Sequence, residues 1–218
     1  MKYSHQVHVR EKLARRFAEA GLSLPQAASE GLEAYFELLR KWNRRLSLTS
    51  LPVEEAADEA IDRLLIEPAL AVTHLPGSSL AVIDIGSGGG SPAIPMKFVA
   101  PGITMVMVES KQKKAAFLRE CIRHLTLTQT TVESARFEEL LERPGYQRSA
   151  DVVTLRAVKA DPGLLAGVQA FLKPGGLLFL FSSTSQETAG ATLELVPVAI
   201  HPLLPHLGSR LEVLQRGS

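Results

Sequence analysis

The stretch Leu80-Ala81-Val82-Ile83-Asp84-Ile85-Gly86-Ser87-Gly88-Gly89-Gly90-Ser91-Pro92 decides how this chain folds. Leu80 to Ile85 is a short apolar run of the kind that forms a buried strand, broken only by Asp84 near its end. The glycines that follow predict a sharp turn out of the strand and into a helix, with backbone bare enough for a nucleotide-like ligand to approach closely. Their spacing discriminates between ligands. A dinucleotide loop has the form Gly-x-Gly-x-x-Gly, and counting from Gly86 and Gly88 the third small position falls on Ser91. The dinucleotide pattern is therefore missed.

Downstream of this loop, strands and helices alternate. Thr104 to Val108 is β-branched and Met-rich and ends at Glu109, Gln112 to Leu125 is amphipathic and basic, and Thr128 to Val132 is a brief strand. Further strands read at Asp151 to Leu155 and at Leu177 to Phe181, the latter entered through Lys173-Pro174-Gly175-Gly176. Leu195 to Ile200 and Arg210 to Gln215 form a terminal pair. The alternation predicts an α/β fold with a mostly parallel, seven-stranded, doubly wound sheet. Upstream, the chain reads as helical. In Glu30 to Leu48 apolar residues recur at three- and four-residue spacing between Glu, Lys and Arg, with Ser29 as the expected N-cap. A second helix is expected from Glu54 to Ala71, re-aimed near Pro68, before the turn cluster Leu75-Pro76-Gly77-Ser78-Ser79. The expected organisation is an N-terminal helical extension over 1–76 and a Rossmann-like ligand-binding domain over 77–218, together one structural unit.

At 218 residues, with 45% hydrophobic and 22% charged residues, the chain can bury a full core without covalent staples. Its one cysteine, Cys121, excludes an intrachain disulfide and suits a reducing compartment. No apolar run approaches the roughly 20 residues that span a bilayer, and Met1 to Arg10 has no signal-peptide core. A cytoplasmic protein with no membrane partner is expected. A net charge of +1 gives no polycation signature, but the charge is uneven: Lys and Arg outnumber Glu nine to five over Met1 to Ser50 and five to one over Lys111 to His124. Such patches suit a phosphate-bearing partner, and they equally suit the solvated faces of helices. The six histidines (His5, His8, His74, His124, His201, His206) form no ligand spacing with Cys or acids, so no metal is expected.

Asp84-x-Gly86-x-Gly88-x-Gly90 resembles the first motif of Rossmann-like class I methyltransferases, whose cofactor is S-adenosylmethionine. That ligand has no pyrophosphate, so what the glycines supply is room for its methionine moiety. Glu109, 19 residues after Gly90 and at the end of the second strand, is placed to accept hydrogen bonds from ribose hydroxyls. From about Tyr35 to Leu180 the chain is similar to one family in particular, the RsmG (GidB) methyltransferases, which methylate guanine at N7 in 16S ribosomal RNA. Lys41-Trp42-Asn43-Arg44-Arg45-Leu46-Ser47-Leu48-Thr49 resembles W-N-x-x-x-N-L-T, with Ser47 where Asn is usual. Ile83 to Pro92 resembles D-x-G-[ST]-G-x-G-[FL]-P, and Pro92-Ala93-Ile94-Pro95 stands for P-G-x-P. Glu109-Ser110-x-x-Lys113-Lys114-x-x-Phe117-Leu118 matches D-S-x-x-K-R-x-x-F-L. Arg136-Phe137-Glu138 stands where R-A-E is usual, and Thr154-Leu155-Arg156-Ala157 where [ST]-x-R-A is usual.

The resemblance implies a cofactor-binding set of Asp84, Gly86, Gly88, Gly90, Ser91, Glu109, Phe137 and Glu138, in which Glu109 holds ribose and Phe137 and Glu138 flank adenine. Arg156 is implied at the methyl-transfer mouth, where its planar fork suits a carboxylate or a phosphate; a salt bridge is the plainer role for it. RNA phosphates are expected on Arg44, Arg45, Lys113 and Lys114, supported by Arg40, Lys41 and Lys111. Trp42 could stack on a base, but at helical spacing with Leu38, Leu39 and Leu46 a core position is the better expectation. The chain departs from the pattern at three places. The R/K-H-x-x-D-S stretch corresponds best to Glu59-Ala60-Ile61-Asp62-Arg63, Ser91 replaces an aromatic or Leu, and Ser182-Ser183-Thr184-Ser185 replaces a loop rich in Gly and Lys. Guanine N7 carries a lone pair, so its methylation asks for positioning rather than a strong base. A monomer acting on 16S RNA or the small ribosomal subunit, and not on DNA, is expected. A small-molecule methyltransferase on the same fold, or a non-catalytic RNA-binding remnant, is the alternative.

Overall fold

The computed structural model describes residues 2–156, 162–183 and 194–217, with side chains over 9–156, 163–183 and 194–217. Ala157, Thr184, Ser185 and the side chains of His5 and His8 lie outside the described residues. Two long helices, α1 (Lys2–Glu19) and α2 (Gln26–Leu46), lead into a broken helix made of α3 (Asp58–Ile61), a π-helical turn (Asp62–Ile66) and α4 (Glu67–Val72). The alternating part follows as β1 (Ala81–Ile85), α5 (Ala93–Val99), β2 (Thr104–Val108), α6 (Gln112–His124), β3 (Thr130–Glu133), α7 (Phe137–Leu141) and β4 (Ala150–Arg156). It continues as α8 (Pro162–Val168), β5 (Leu172–Ser183), β6 (Leu195–Pro202) and β7 (Ser209–Arg216).

The seven strands form one sheet in the order β3-β2-β1-β4-β5-β7-β6. The first five are parallel, and β7 runs antiparallel between β5 and β6. The winding reverses between β1 and β4, and a crevice outside the carboxyl ends of such strands is where open α/β sheets take ligands. Gly86, Glu109 and Arg156 all stand at that edge. Adjacent residues of β1 face opposite sides, as the two-residue period requires. Val82 joins a core shared with Leu13, Leu32, Tyr35, Phe36, Ile61, Met105 and Phe179. Ile83 joins the core on the other face, with Val153, Leu165, Phe171 and Leu178. Trp42 is half-buried at the margin of the first core, with its ring 5.7 Å from that of Phe117, so the core expectation for it is met only in part. Among the described residues, no helix is long and apolar enough to cross a membrane.

Several boundaries differ from the sequence reading. The helix α2 starts at Gln26 behind Pro25, whose ring presets the backbone for a helix start, and Ser29 lies inside the first turn with its N–H on the Pro25 carbonyl at 3.1 Å. Ser29 is therefore not the cap. At the far end Ser47 stops α2 in the left-handed conformation at φ 46°, which explains why Asn suits that place better. The second helix begins at Asp58 rather than Glu54, because Ala56 turns the chain at φ 46°. Its re-aiming lies just ahead of Pro68, in the π turn. Pro68 has no N–H to give to Leu64 four residues back, and the Leu64 carbonyl accepts the Ser91 hydroxyl at 2.8 Å instead.

Two local features tie the extension and the sheet to the site. A Cβ built on Gly31 would lie 2.1 Å from Phe98 Cε1, so the glycine lets α2 close onto α5. Inside the sheet Asp84 faces Thr154 in register across β1 and β4, and the Thr154 hydroxyl donates to Asp84 Oδ1 at 2.6 Å. Asp84 Oδ2 is buried with no hydrogen-bond partner among the described residues. Burial pushes this carboxyl up to about 6, against the pull of the Ser87 and Thr154 hydroxyls.

Gly31→Leu forces Phe98 aside and is expected to destabilise the fold by about 1–3 kcal/mol, lowering the melting midpoint by roughly 2–4 °C per kcal/mol in calorimetry. An unchanged midpoint would show that α2 does not dock there. For Asp84 the native state holds a proton that the unfolded chain releases between about pH 4 and pH 6, so the wild type loses stability as pH rises through that window. Asp84→Asn escapes that loss. Its stability relative to wild type is expected to improve by roughly 2–3 kcal/mol between pH 4 and pH 7.5 in urea unfolding, whereas a difference that is flat with pH contradicts the assignment.

Candidate functional site

The glycine loop carries little side-chain material of its own and is held from outside. Gly86 N–H and Ser87 N–H both donate to the Val108 carbonyl, at 2.9 and 3.0 Å, which pins the loop to β2. Gly88 N–H donates to Glu109 Oε2 at 2.9 Å, and Glu109 Oε1 accepts from Lys111 N–H at 2.7 Å. From the other side the buried Tyr35 of α2 donates its hydroxyl to the Gly89 carbonyl at 2.7 Å. The glycines serve different ends. Gly90, at φ +92°, is packed so that a Cβ would lie 2.6 Å from Ile94 Cδ1. Gly86, at φ +74°, has nothing within 4 Å of its Cβ position: a side chain there would project into open cleft.

Two cavities meet at Gly86. The smaller, about 330 Å³, has an apolar wall of Ile85, Val108, Ala135, Phe137 and Leu155, with Ser110 and Glu138 at its edge. The larger, about 540 Å³, runs from Gly86 along the loop to Ser91 and is bounded by Glu67, Arg156, Arg63, Lys114 and Phe181. One suits a flat heteroaromatic ring. The other suits something charged.

The charge in the larger cavity centres on Arg156, at the end of β4. Its Nη2 pairs with Glu67 Oε2, its Nη1 donates to Ser91 Oγ at 3.2 Å, and its guanidinium lies 5.1 Å from the Phe181 ring centroid. The Glu67 side chain is only 3% exposed, that of Arg156 15%. Burial pushes the Glu67 carboxyl up and the Arg156 guanidinium down, each opposed by the attraction of the other. Arg63 adds a second cation, with Nη1 3.7 Å from Glu67 Oε1.

The fold brings part of the expected site together. Gly86, Gly88, Ser91, Arg156 and Lys114 border the larger cavity, while Phe137 and Glu138 border the smaller. Asp84 and Gly90 are buried, and Glu109 borders neither cavity, both its oxygens being taken by backbone amides. Lys113 and Arg45 are exposed and have no ion-pair partner among the described residues, whereas Arg44 is held by Glu54 at 2.6 Å. Asp62 is placed elsewhere. It is buried among Arg16, with Nε at 2.7 Å, and His206, with Nε2 at 2.8 Å, so it braces α1 against the β6–β7 connection. The carboxylate that reaches the site from this segment is Glu67. The signal was present in the sequence: Arg63-Leu64-Leu65-Ile66-Glu67-Pro68 has the R-x-x-x-acid spacing of R-H-x-x-D-S, which moves the acid of that stretch from Asp62 to Glu67 and its His position from Glu59 to Leu64. Tyr35 had no such signal, since its hydroxyl contact joins residues 54 apart. Among the described residues no group of three His, Cys, Asp or Glu converges as a metal ligand set.

Known proteins match this chain over most of its length. Residues 28–196 match the family described as GidB, rRNA small subunit methyltransferase G. A ribosomal RNA small subunit methyltransferase G from Geobacter sp. (strain M21) is 36% identical over 186 residues, which is 84% of this chain and 82% of the relative. One from Xanthomonas axonopodis pv. citri (strain 306) is 34% identical over 202 residues, 89% of this chain and 90% of the relative. The fold is shared with a crystal structure of a SAM-dependent methyltransferase from Aquifex aeolicus, at TM-score 0.55 and 12% identity over 71% of this chain and 92% of that one. Sequence and architecture agree, and the chain belongs to the rRNA small subunit methyltransferase G (GidB) family.

Proposed function

We propose that this methyltransferase uses S-adenosylmethionine to methylate N7 of a guanine in 16S ribosomal RNA of the small subunit. The observation that carries the reading is the pair of cavities meeting at Gly86, one apolar and one charged, outside the carboxyl ends of β1 and β4. S-adenosylmethionine supplies an electrophilic methyl group on sulfur. The residues present fit it: Phe137, Ile85 and Leu155 make an apolar slot for adenine, Glu138 stands at the edge of that slot, and the bare face of Gly86 leaves room for the thioether. Glu109 retains lone pairs beyond its two amide bonds and is assigned to the ribose hydroxyls. Asp84 and Gly90 support the loop from beneath.

On the RNA side the chain has to hold one base still. N7 is nucleophilic as it stands, so the rate gain comes from alignment inside the larger cavity. Lys114 at that cavity, with Lys113 and Arg45 exposed, is assigned to phosphates flanking the target nucleotide. Arg44 contributes less, since Glu54 already neutralises it. The extension over 1–76 and the domain over 77–218 are read as one unit, because Tyr35, Arg63 and Glu67 of the former complete the site of the latter.

Small subunits from a strain lacking this protein are expected to accept labelled methyl from S-adenosylmethionine at a single guanine, mapped by nuclease digestion. Absence of label in the RNA sinks the rRNA reading. Replacing Lys113 and Arg45 together by alanine is expected to weaken RNA binding and to flatten its salt dependence by about 0.7–0.9 in slope for each phosphate no longer neutralised. An unchanged slope in titrations between low and moderate salt removes these two residues from the RNA face.

A further inference from the structure

The Glu67–Arg156 pair invites a question about cost. Two charges taken out of water contribute stability only if their geometry is excellent and their remaining hydrogen-bonding capacity is met. Here it is met only in part: the Ser209 hydroxyl serves the Glu67 carboxylate, but Oε1 is buried with no hydrogen-bond partner among the described residues, and Arg63 Nη1 stays 3.7 Å away. The pair also sits where a ligand can reach it, on the wall of the larger cavity alongside Gly86 to Gly89 and Ser91. The supporting contacts hold the two groups in place independently. Ser91 Oγ links Arg156 to the Leu64 carbonyl, and Phe181 lies against the guanidinium, while Glu67 is fixed at the start of α4. Neither depends on the other alone for its position.

We propose that Glu67 and Arg156 together form the receptor for the amino-acid head of S-adenosylmethionine, Glu67 taking the α-ammonium group and Arg156 the α-carboxylate. The inference rests on the cofactor reading given above. The charge arithmetic suits it. A zwitterionic head is neutral overall, so inserting it between a buried anion and a buried cation leaves the buried net charge unchanged. Each protein ion exchanges one opposite charge for another and is already desolvated, so the protein's share of the burial cost is met before the ligand arrives. The unpartnered Glu67 Oε1 gains a donor. Burial shifts both groups away from their charged forms. Ser91 acquires a reason too, since a bulky apolar residue there could not hold Arg156 Nη1.

Calorimetric titration with two nucleosides tests this without reference to turnover. S-adenosylhomocysteine carries the amino-acid head, and 5′-methylthioadenosine keeps adenosine and the thioether but lacks the head. Glu67→Gln, and the double variant Glu67→Gln with Arg156→Met, which leaves no unpaired buried ion if the single variant misfolds, are each expected to lose at least about thirtyfold in affinity for S-adenosylhomocysteine. Both are expected to bind 5′-methylthioadenosine within about threefold of wild type. Glu67→Asp, which keeps the charge, is expected to retain part of the preference for the head-bearing ligand. Equal losses for both ligands would make the pair a structural strut and overturn the proposal, as would S-adenosylhomocysteine affinity that survives in both variants. A wild type that binds neither ligand would instead overturn the cofactor reading on which the proposal stands.

Discussion

Between Gly86 and Gly90 the backbone has to leave β1, pass through positive φ at Gly86, Gly88 and Gly90, and still present a fixed surface to the cleft. A loop this bare cannot hold itself by packing its own side chains, and glycine-rich backbone has more conformational freedom to lose than any other. Its position is therefore imposed by neighbours. The Val108 carbonyl anchors its beginning, the Glu109 carboxylate its middle, and Ile94 and Leu118 close on Gly90 at its end. The Tyr35 hydroxyl on the Gly89 carbonyl is the one anchor among these that comes from outside the sheet domain. It depends in turn on α2 lying close against α5 and α6, through Gly31 under Phe98 and Trp42 against Phe117. The N-terminal helices thus bear directly on the geometry of the cleft.

The second dependence is electrostatic. Asp84, Glu67, Glu109 and Arg156 are gathered at the carboxyl ends of three strands, and each is handled differently. Glu109 is satisfied by two backbone amides. Asp84 has one oxygen on Thr154 and the other unpartnered among the described residues, which leaves burial to dominate its titration. Glu67 and Arg156 are paired with each other across the boundary between α4 and β4, so the extension and the sheet meet at an ion pair inside the cavity. Removing one member of such a pair leaves a buried charge uncompensated, which is why a single substitution here costs stability.

Most of the architecture is legible in the sequence because its signals are local. The strand-glycine turn, the β-branched run of β2 and the basic amphipathic α6 each declare themselves within a dozen residues, and parallel topology follows from their alternation. The boundaries that differ are decided by backbone effects with weak sequence marks: Pro25 as a helix start in place of Ser29, the left-handed Ala56, and the π turn ahead of Pro68. At the site, Gly86, Ser91, Phe137 and Arg156 can be read because they lie next to strand ends. Glu67 is hard to tell from Asp62 because both are acids on one broken helix, with the π turn Asp62–Ile66 leading from one to the other. Asp62 points to Arg16 and His206, which lie 46 and 144 residues away in sequence, and no local pattern encodes such partners.

All of this converges on a single cleft with Gly86 at its waist. A crystal structure of the protein grown with S-adenosylhomocysteine examines that geometry most directly. The expected density places adenine against Phe137 in the smaller cavity, the thioether over the bare face of Gly86, and the amino-acid head in the larger cavity beside Ser91. A ligand confined to one cavity, or bound away from Gly86 with the loop unmoved, would contradict the role assigned here to the glycine loop.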